Sequence, residues 1–443
     1  MTIKSKLFIL VIGLIFTNSI AQEKFSLKQA VDYAVNNTYA IKNADLAIKA
    51  AEHKKWETTT MGLPQINASV DYQNFIEQPV SLIPAQLFGG PPGEFAEISF
   101  GTKQNLNASA TLSQLLFDGS YLVGLQSAKV YLKISELAKV KTTQAIKEAT
   151  IHAYGNVLLA KESISIIENN LKLLDKTIHD TNEIYKNGYA EEQDVEQLQI
   201  TQSSLNNQLN KSKRLLAVAK NMLKITMGID IENPIELSDT LDHLALSEFD
   251  LALYDASFNV ENHIDYQISR NSVTAKELFV KLEKSKYLPQ LTAFLNYGTK
   301  ANSDTFTFID SKQRWFDSSL FGVSLNVPIF SSFKRKSRVN QAKIALKQEQ
   351  NKLTQASQQL KLQVENAKTN YQFAIDSFNT SKQNLALAKR IEKKEQIKFF
   401  EGVGSSFNLT QAQNQLYSTQ QQYLSAIVQI INTKASLENA LNQ

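Results

Sequence analysis

The 443-residue chain contains no cysteine. A disulfide framework and a lipid-anchored N-terminal cysteine are therefore excluded, and the fold must rest on packing alone. Proline and glycine are scarce, with 8 and 15 residues, and they gather where the chain turns. Beyond the N-terminus no run of about 18 apolar residues occurs, and the best candidate, Ala426 to Ile431, is far too short. That excludes spanning helices but not a β-barrel, whose strands carry only an alternating signal. The formal net charge is small, at +4. Clusters such as Lys334-Arg335-Lys336 are local and lack interleaved aromatics, so no nucleic-acid surface is indicated.

Signatures of chemistry are missing too. The five histidines, His53, His152, His179, His243 and His263, have no metal-ligand spacing, so no metal or cofactor is assigned. Gly402-Val403-Gly404-Ser405-Ser406-Phe407 begins like a dinucleotide fingerprint, but the third glycine is absent and a helix precedes it. There is no nucleophile elbow. No catalytic residue is assigned, and the chain is not read as an enzyme.

What is present begins with a secretory signal over residues 1–21. Lys4 and Lys6 form its basic start, Leu7 to Phe16 its apolar stretch, and Ser19-Ile20-Ala21 its cleavage site. The mature chain then states one plan twice. Leu63-Pro64-Gln65 recurs as Leu288-Pro289-Gln290, 225 positions later (288 − 63), and Tyr72 and Asn37 recur as Tyr297 and Asn262 at the same offset. Phe117-Asp118-Gly119 aligns with Phe330-Ser331-Ser332, and Tyr185-Lys186-Asn187-Gly188 with Phe399-Phe400-Glu401-Gly402. Such internal repetition governs the fold before any local motif does. The first repeat spans 22–228, a linker 229–249, and the second repeat 250–443.

Each repeat opens with a helix, Ser26 to Thr60 in the first and about Asp250 to Lys286 in the second, stopped by Leu-Pro-Gln. Period-two alternation then predicts strands at about 65–76 and 104–116, and again at about 290–298 and 319–328. Ile66, Ala68, Val70 and Tyr72 alternate with polar residues, as do Phe321, Val323, Leu325 and Val327 with polar or small ones; Phe294 breaks the pattern. The hairpin connections, Glu77 to Ser99 and Thr299 to Ser318, are long, which matches the external loops of outer-membrane barrels. Trp315, in the second, is a candidate for an aromatic girdle. Long proline-free helices follow, Ser120 to Lys186 and Lys334 to Phe400, each roughly 100 Å at 1.5 Å per residue. Apolar residues recur by seven along both. Ile146, Ala153, Ala160, Ile167 and Leu174 run beside Val157, Ile164 and Leu171. Val339, Leu346, Leu353, Leu360, Ala367 and Ala374 run beside Val364, Tyr371, Phe378 and Leu385. These are coiled-coil seams. Glycine turns reverse the chain into return helices, giving coiled coils over about 120–227 and 334–441.

Four strands per chain cannot close a barrel, and open edges are not tolerated in lipid. Three chains would supply twelve strands, with apolar faces toward lipid and Asn, Ser, Thr and Asp faces toward a water-filled interior. The competing reading is an exported coiled-coil spacer or adhesin without a pore. The paired amphipathic hairpins separate the two, because a spacer needs no lipid-compatible strand face.

In the order of these elements, in the paired Leu-Pro-Gln and in the tips Tyr185 to Val195 and Phe399 to Leu409, the chain resembles the TolC-like outer-membrane efflux proteins over essentially its whole mature length. The resemblance implies a mostly α fold with a β-barrel contribution. It implies a homotrimer with a twelve-stranded transmembrane barrel, continued by a periplasmic α-helical barrel. It further implies an outer-membrane exit duct for efflux or type I export, partnered by a periplasmic adaptor (membrane fusion) protein, an inner-membrane transporter and outer-membrane lipid. By the same resemblance the periplasmic constriction falls on Asp194, Asn408 and Gln411. Neutral amides stand where the family carries an aspartate pair, and Gly404 stands where it has an arginine. Adaptor docking falls on Gly188, Tyr189, Ala190, Gly402, Val403 and Gly404. Glu191, Glu192, Asp194 and Glu196 also suit a helix start facing the macrodipole.

Overall fold

The computed structural model describes residues 23–247 and 251–442; the expected signal peptide lies outside them. In chain order the elements are β1 (Glu23–Phe25), α1 (Leu27–Asn37), α2 (Tyr39–Thr60), β2 (Gln65–Asn74), β3 (Val80–Pro84), β4 (Phe95–Ser99), β5 (Gln104–Asp118), α3 (Gly119–Lys186) and α4 (Glu192–Met227). They continue with β6 (Ile235–Leu237), α5 (Leu241–Ser247), α6 (Ile264–Ser285), β7 (Gln290–Ser303), β8 (Trp315–Asn326), α7 (Lys334–Phe400) and α8 (Ser406–Leu441). The chain divides into two units. One is Asn43–Lys141 with Asn259–Leu362, and the other is Met1–Lys42, Thr142–Phe258 and Gln363–Gln443. Helices α3 and α7 contribute to both.

The first unit holds a four-stranded antiparallel sheet in the order β2-β5-β7-β8, so the two repeats join through β5 and β7. Each long helix starts with a side-chain cap at equivalent places. Asp118 Oδ1 accepts the N–H groups of Ser120 (2.6 Å) and Tyr121 (3.3 Å), and Ser331 Oγ accepts that of Arg335 (3.5 Å). Gly62 admits the Tyr121 side chain, whose hydroxyl a Cβ would overlap, and Tyr121 donates that hydroxyl to Thr59 O at 3.0 Å. Helix α3 is further tied to α2 by Lys139–Asp45 (2.5 Å) and to α6 by Lys141–Asp265 (2.6 Å). The first hairpin connection is not bare loop: β3 and β4 form a separate two-stranded sheet within it.

The second unit is the coiled-coil part of α3, α4, α7 and α8, with β1, α1, β6 and α5 beside it. Its main core gathers Tyr154, Val157, Leu223, Met227, Tyr371, Ile427, Ile430 and Leu437, each at most 1 % exposed. A second cluster, Ile167, Leu171, Leu174, Leu198 and Leu205, lies between α3 and α4. Strands β1 and β6 pair in parallel, Glu23 to Ile235 through Phe25 to Leu237. Tyr154 Oη anchors this sheet, donating to Phe25 O (2.8 Å) and Asp239 Oδ2 (3.0 Å). The expected linker thus contains packed structure: Ile235, Leu241 and Leu244 all join the core.

Two helices differ from expectation. The opening helix of the first repeat breaks at Thr38, and that of the second begins only at Ile264, after short 3₁₀ turns at Leu251–Leu253 and Val260–Asn262. In the second case Asn259 Oδ1 takes the Glu261 N–H at 3.0 Å and His263 Nδ1 the Asp265 N–H at 3.1 Å. Side chains that bond their local backbone in this way compete with helix and favour caps.

Candidate functional site: a two-faced sheet and two helical tips

The sheet register carries the alternation across the four strands, with Leu320 and Phe316 of β8 as apolar exceptions on the polar face. Ile66, Leu112, Leu295 and Phe321 stand opposite one another in turn, as do Ala68, Ala110 and Tyr297. This face is apolar yet exposed: Ile66 at 74 %, Val70 and Phe321 at 69 %. On the other face, Ser69, Ser109, Gly298 and Ser318 form one row and Asn67, Thr111 and Asn296 another. Asn296 Nδ2 donates to Thr111 Oγ1 at 2.7 Å, and the hydroxyls of Ser69 and Ser109 lie 3.2 Å apart. Phe294, which broke the alternation, sits on this polar face directly opposite Gly322, where a Cβ would meet its ring at 2.5 Å. Glycine makes room for the one aromatic ring in that row. Trp315, placed in a loop by its sequence context, begins β8 and pairs with Ala301.

Both outer strands, β2 and β8, have one unpaired edge among the described residues. Soluble proteins guard such edges with lysine, proline or bulges. Neither strand contains lysine or proline, and each has one acid, Asp71 and Asp317. The arrangement exposes unguarded hydrogen-bonding edges beside an exposed apolar face, which suits strand pairing inside lipid.

The tips repeat each other atom for atom. After α3, Gly188 (φ 79°) donates its N–H to Tyr185 O at 2.8 Å and Tyr189 donates to Ile184 O at 3.1 Å. After α7, Gly402 (φ 75°) donates to Phe399 O at 3.1 Å and Val403 to Lys398 O at 3.0 Å. This is the Schellman pattern, in which a left-handed residue satisfies the last carbonyls of the helix. Gly404 adds a close approach, since a Cβ there would lie 3.0 Å from the Lys398 Cβ. The return helices are capped at once: Glu191 and Asp194 form a reciprocal box, and Ser405 Oγ accepts the Asn408 N–H at 3.3 Å.

Among the tip residues singled out above, Tyr189 and Val403 are strongly exposed, at 86 % and 78 %. Gly188 and Gly402 are open around their Cα atoms, and Ala190 is half-buried. Asn408 and Gln411, three apart, share an exposed face of α8. Gln411 lines a groove with Gln197 of α4, together with Phe407 and Asn414. Asp194 is half-buried, one turn before Gln197, and its Oδ2 accepts the Glu191 N–H at 3.1 Å; it serves its own helix start. Sequence reasoning missed a group of buried polar side chains on α7 and α8 (Glu392, Thr410, Gln413 and Tyr417). The seven-residue series on α7 pointed to it, for Glu392 is the step after Leu385.

Residues 261–443, the second repeat, match the family model described as "Outer membrane efflux protein". No match by sequence was found among curated proteins. Solved structures share the fold over nearly the whole chain. CusC superposes with a TM-score of 0.75 at 17% identity, over 95% of this chain and 92% of that one. The outer-membrane protein VceC of Vibrio cholerae gives 0.71 at 15%, over 94% and 95%. The Campylobacter jejuni CmeC outer-membrane channel gives 0.73 at 16%, over 94% and 85%. The chain thus matches the outer-membrane efflux protein family model over 261–443, and over nearly its full length it shares the fold of these solved channel structures.

Proposed function

We propose that three copies of this chain close into one outer-membrane exit duct, each contributing β2, β5, β7 and β8 to a twelve-stranded barrel. One observation carries the reading: a four-stranded sheet with an exposed apolar face, a polar opposite face and two unguarded edges. Edge β2 of one copy would pair with edge β8 of the next. That satisfies the open backbone groups, each worth several kcal/mol in hydrocarbon (about the cost of burying an unpaired amide). The apolar face then meets lipid, and the Asn and Ser rows line the water path.

The helical unit is, on this reading, the periplasmic part of the protein. Asp194, Asn408 and Gln411 form its narrow end, and Gly188, Tyr189, Ala190, Gly402, Val403 and Gly404 receive the hairpins of a periplasmic adaptor. The Cα atoms of Gly188 and Gly402 are open to a partner's backbone, and Tyr189 and Val403 offer apolar contact beside them. Cargo enters from an inner-membrane transporter through that adaptor.

Purified protein in detergent should run as a trimer and conduct ions in a planar bilayer. A stable monomer that never conducts would reject the duct. With neutral Asn408 and Gln411 at the constriction, polyvalent cations should block weakly, and Asn408→Asp should strengthen the block. Strong block of the unaltered chain would remove these residues from the constriction. The spacer reading predicts extraction without detergent, which the unguarded edges disfavour.

A further inference from the structure

Glu392 occupies a seam position of α7, seven residues after Leu385. It is 7 % exposed, and its enclosed Oε1 has no protein hydrogen-bond partner. On α8, Thr410, Gln413 and Tyr417 fall three and four residues apart, on one helix face. Thr410 Oγ1, both amide atoms of Gln413 and Tyr417 Oη are likewise enclosed without a protein partner; Gln413 is 1 % exposed. Tyr417 packs on the cluster of Leu171, Leu174 and Leu198, and burial, with the nearby Glu392 charge, pushes its phenol well above the usual range.

Among the described residues no charged group pairs with Glu392. Helix α8 has no charged residue from Ser406 to Thr433. On α7, Lys389 and Lys393 are exposed, and Glu395 pairs with Lys398 at 2.6 Å. On α3, Lys176 and Asp180 face α7 nearer the tip, beside Glu401, and the acids of α4, Glu192, Asp194 and Glu196, lie at its start. Burial alone raises the proton affinity of Glu392.

The region also lacks stitching. Nearer β1 and β6, α8 is bonded to α3 repeatedly. Glu148 accepts from Ser436 Oγ and Asn439 Nδ2 (2.5 Å each), Ser163 donates to Gln421 (3.0 Å), and Asn170 donates to Gln420 (2.8 Å). Toward the tip from Asn170–Gln420, no side-chain hydrogen bond joins α3 and α8 among the described residues.

We propose that Glu392 is a proton-controlled positioning residue for the periplasmic end of the duct. Neutral, it keeps residues 406–419 of α8 seated; ionised, it drives that segment off its packing, with Asn170–Gln420 as the fixed end. The purpose of the motion rests on the duct reading, but its measurement does not. The sign follows from burial. The seated state binds the proton more tightly than the released state, so seating is complete below the ordinary glutamate range and is lost as pH rises through the raised value.

Hydrogen–deuterium exchange on the intact protein in detergent tests this. Exchange in 406–419, normalised to intrinsic rates and to segment 421–435, should rise as pH climbs above the ordinary glutamate range, by at most about tenfold per pH unit for one proton. Glu392→Gln should hold the ratio flat, and Glu392→Asp should restore the rise. A wild-type ratio that is flat, or an equal rise in Glu392→Gln, overturns the proposal. Should the Gln variant fail to fold, the wild-type series decides alone. A protein that shows the exchange response but no conductance keeps this inference and rejects the duct.

Discussion

Thr38 and His263, 225 positions apart, occupy the same backbone conformation and perform the same task. Their dihedrals are φ −63°, ψ 148° and φ −68°, ψ 135°. Each interrupts a helical path and caps the helix that follows, Thr38 Oγ1 taking the Ile41 N–H at 3.3 Å and His263 Nδ1 that of Asp265 at 3.1 Å. The repetition seen in the sequence therefore extends to individual caps. One repeat uses a hydroxyl where the other uses an imidazole, so only the second is sensitive to pH.

That difference predicts acid sensitivity at His263. Burial lowers its proton affinity, against the pull of Asp265 and with the help of Lys141. A depressed value means that its contribution is full above the ordinary imidazole range and is lost as pH falls through the folded value. Protonation also removes the Nδ1 acceptor. His263→Asn should keep the cap within about 1 kcal/mol and reduce the acid-side slope of thermal stability. An unchanged slope would show that other groups set it.

Tyr154 should be among the costliest side chains to trim. It is fully buried, and the Asp239 Oδ2 that receives its hydroxyl also accepts the Leu27 N–H at 2.7 Å. Tyr154→Phe removes one of the two donors received by each of Phe25 O and Asp239 Oδ2, at a cost of about 0.5–1.5 kcal/mol. Denaturant unfolding should shift its midpoint without changing slope, and exchange of β1 amides should accelerate.

The tip glycines give a graded series. Gly188→Ala and Gly402→Ala force a left-handed residue at a cost of about 1 kcal/mol each, and Asn should cost less at either place. Calorimetry on the purified protein checks this. Equal losses for Ala and Asn would contradict a conformational cause.

The two faces of the sheet should respond oppositely to charge. Phe321→Lys on the apolar face should cost about 2–4 kcal/mol of membrane stability if it lies near the bilayer midplane. Ser318→Lys on the polar face should be tolerated. Heat-modifiable migration from membrane fractions reads both, and reversed outcomes would invert the assignment of lipid and water faces.

Much of the plan was legible because it rests on period and position. Strand alternation at Ile66 to Tyr72, the proline after each opening helix, the seven-residue seams and the glycine turns are all local patterns, and local patterns follow from backbone sterics. The glycines at 188 and 402 needed no partner to be read as helix ends. By contrast, the break at Thr38 and the late start at Ile264 lie within helical composition. Gly228, close enough that a Cβ would lie 2.7 Å from Asn37 O, packs against the first break, and sequence spacing does not reveal such a neighbour. Phe294 looked like a fault in the alternation until Gly322 came opposite it.

The amino-acid order by itself determined the element types, the duplication and the two-faced strands, because these depend on neighbours a few residues away. Tertiary structure alone decided which strands meet, that β5 joins β7 across the repeats, that β2 and β8 are left as edges, and that Glu392 is buried without a counter-charge. Those outcomes depend on groups far apart in sequence being brought together, and on burial changing the cost of a charge, which no local spacing encodes.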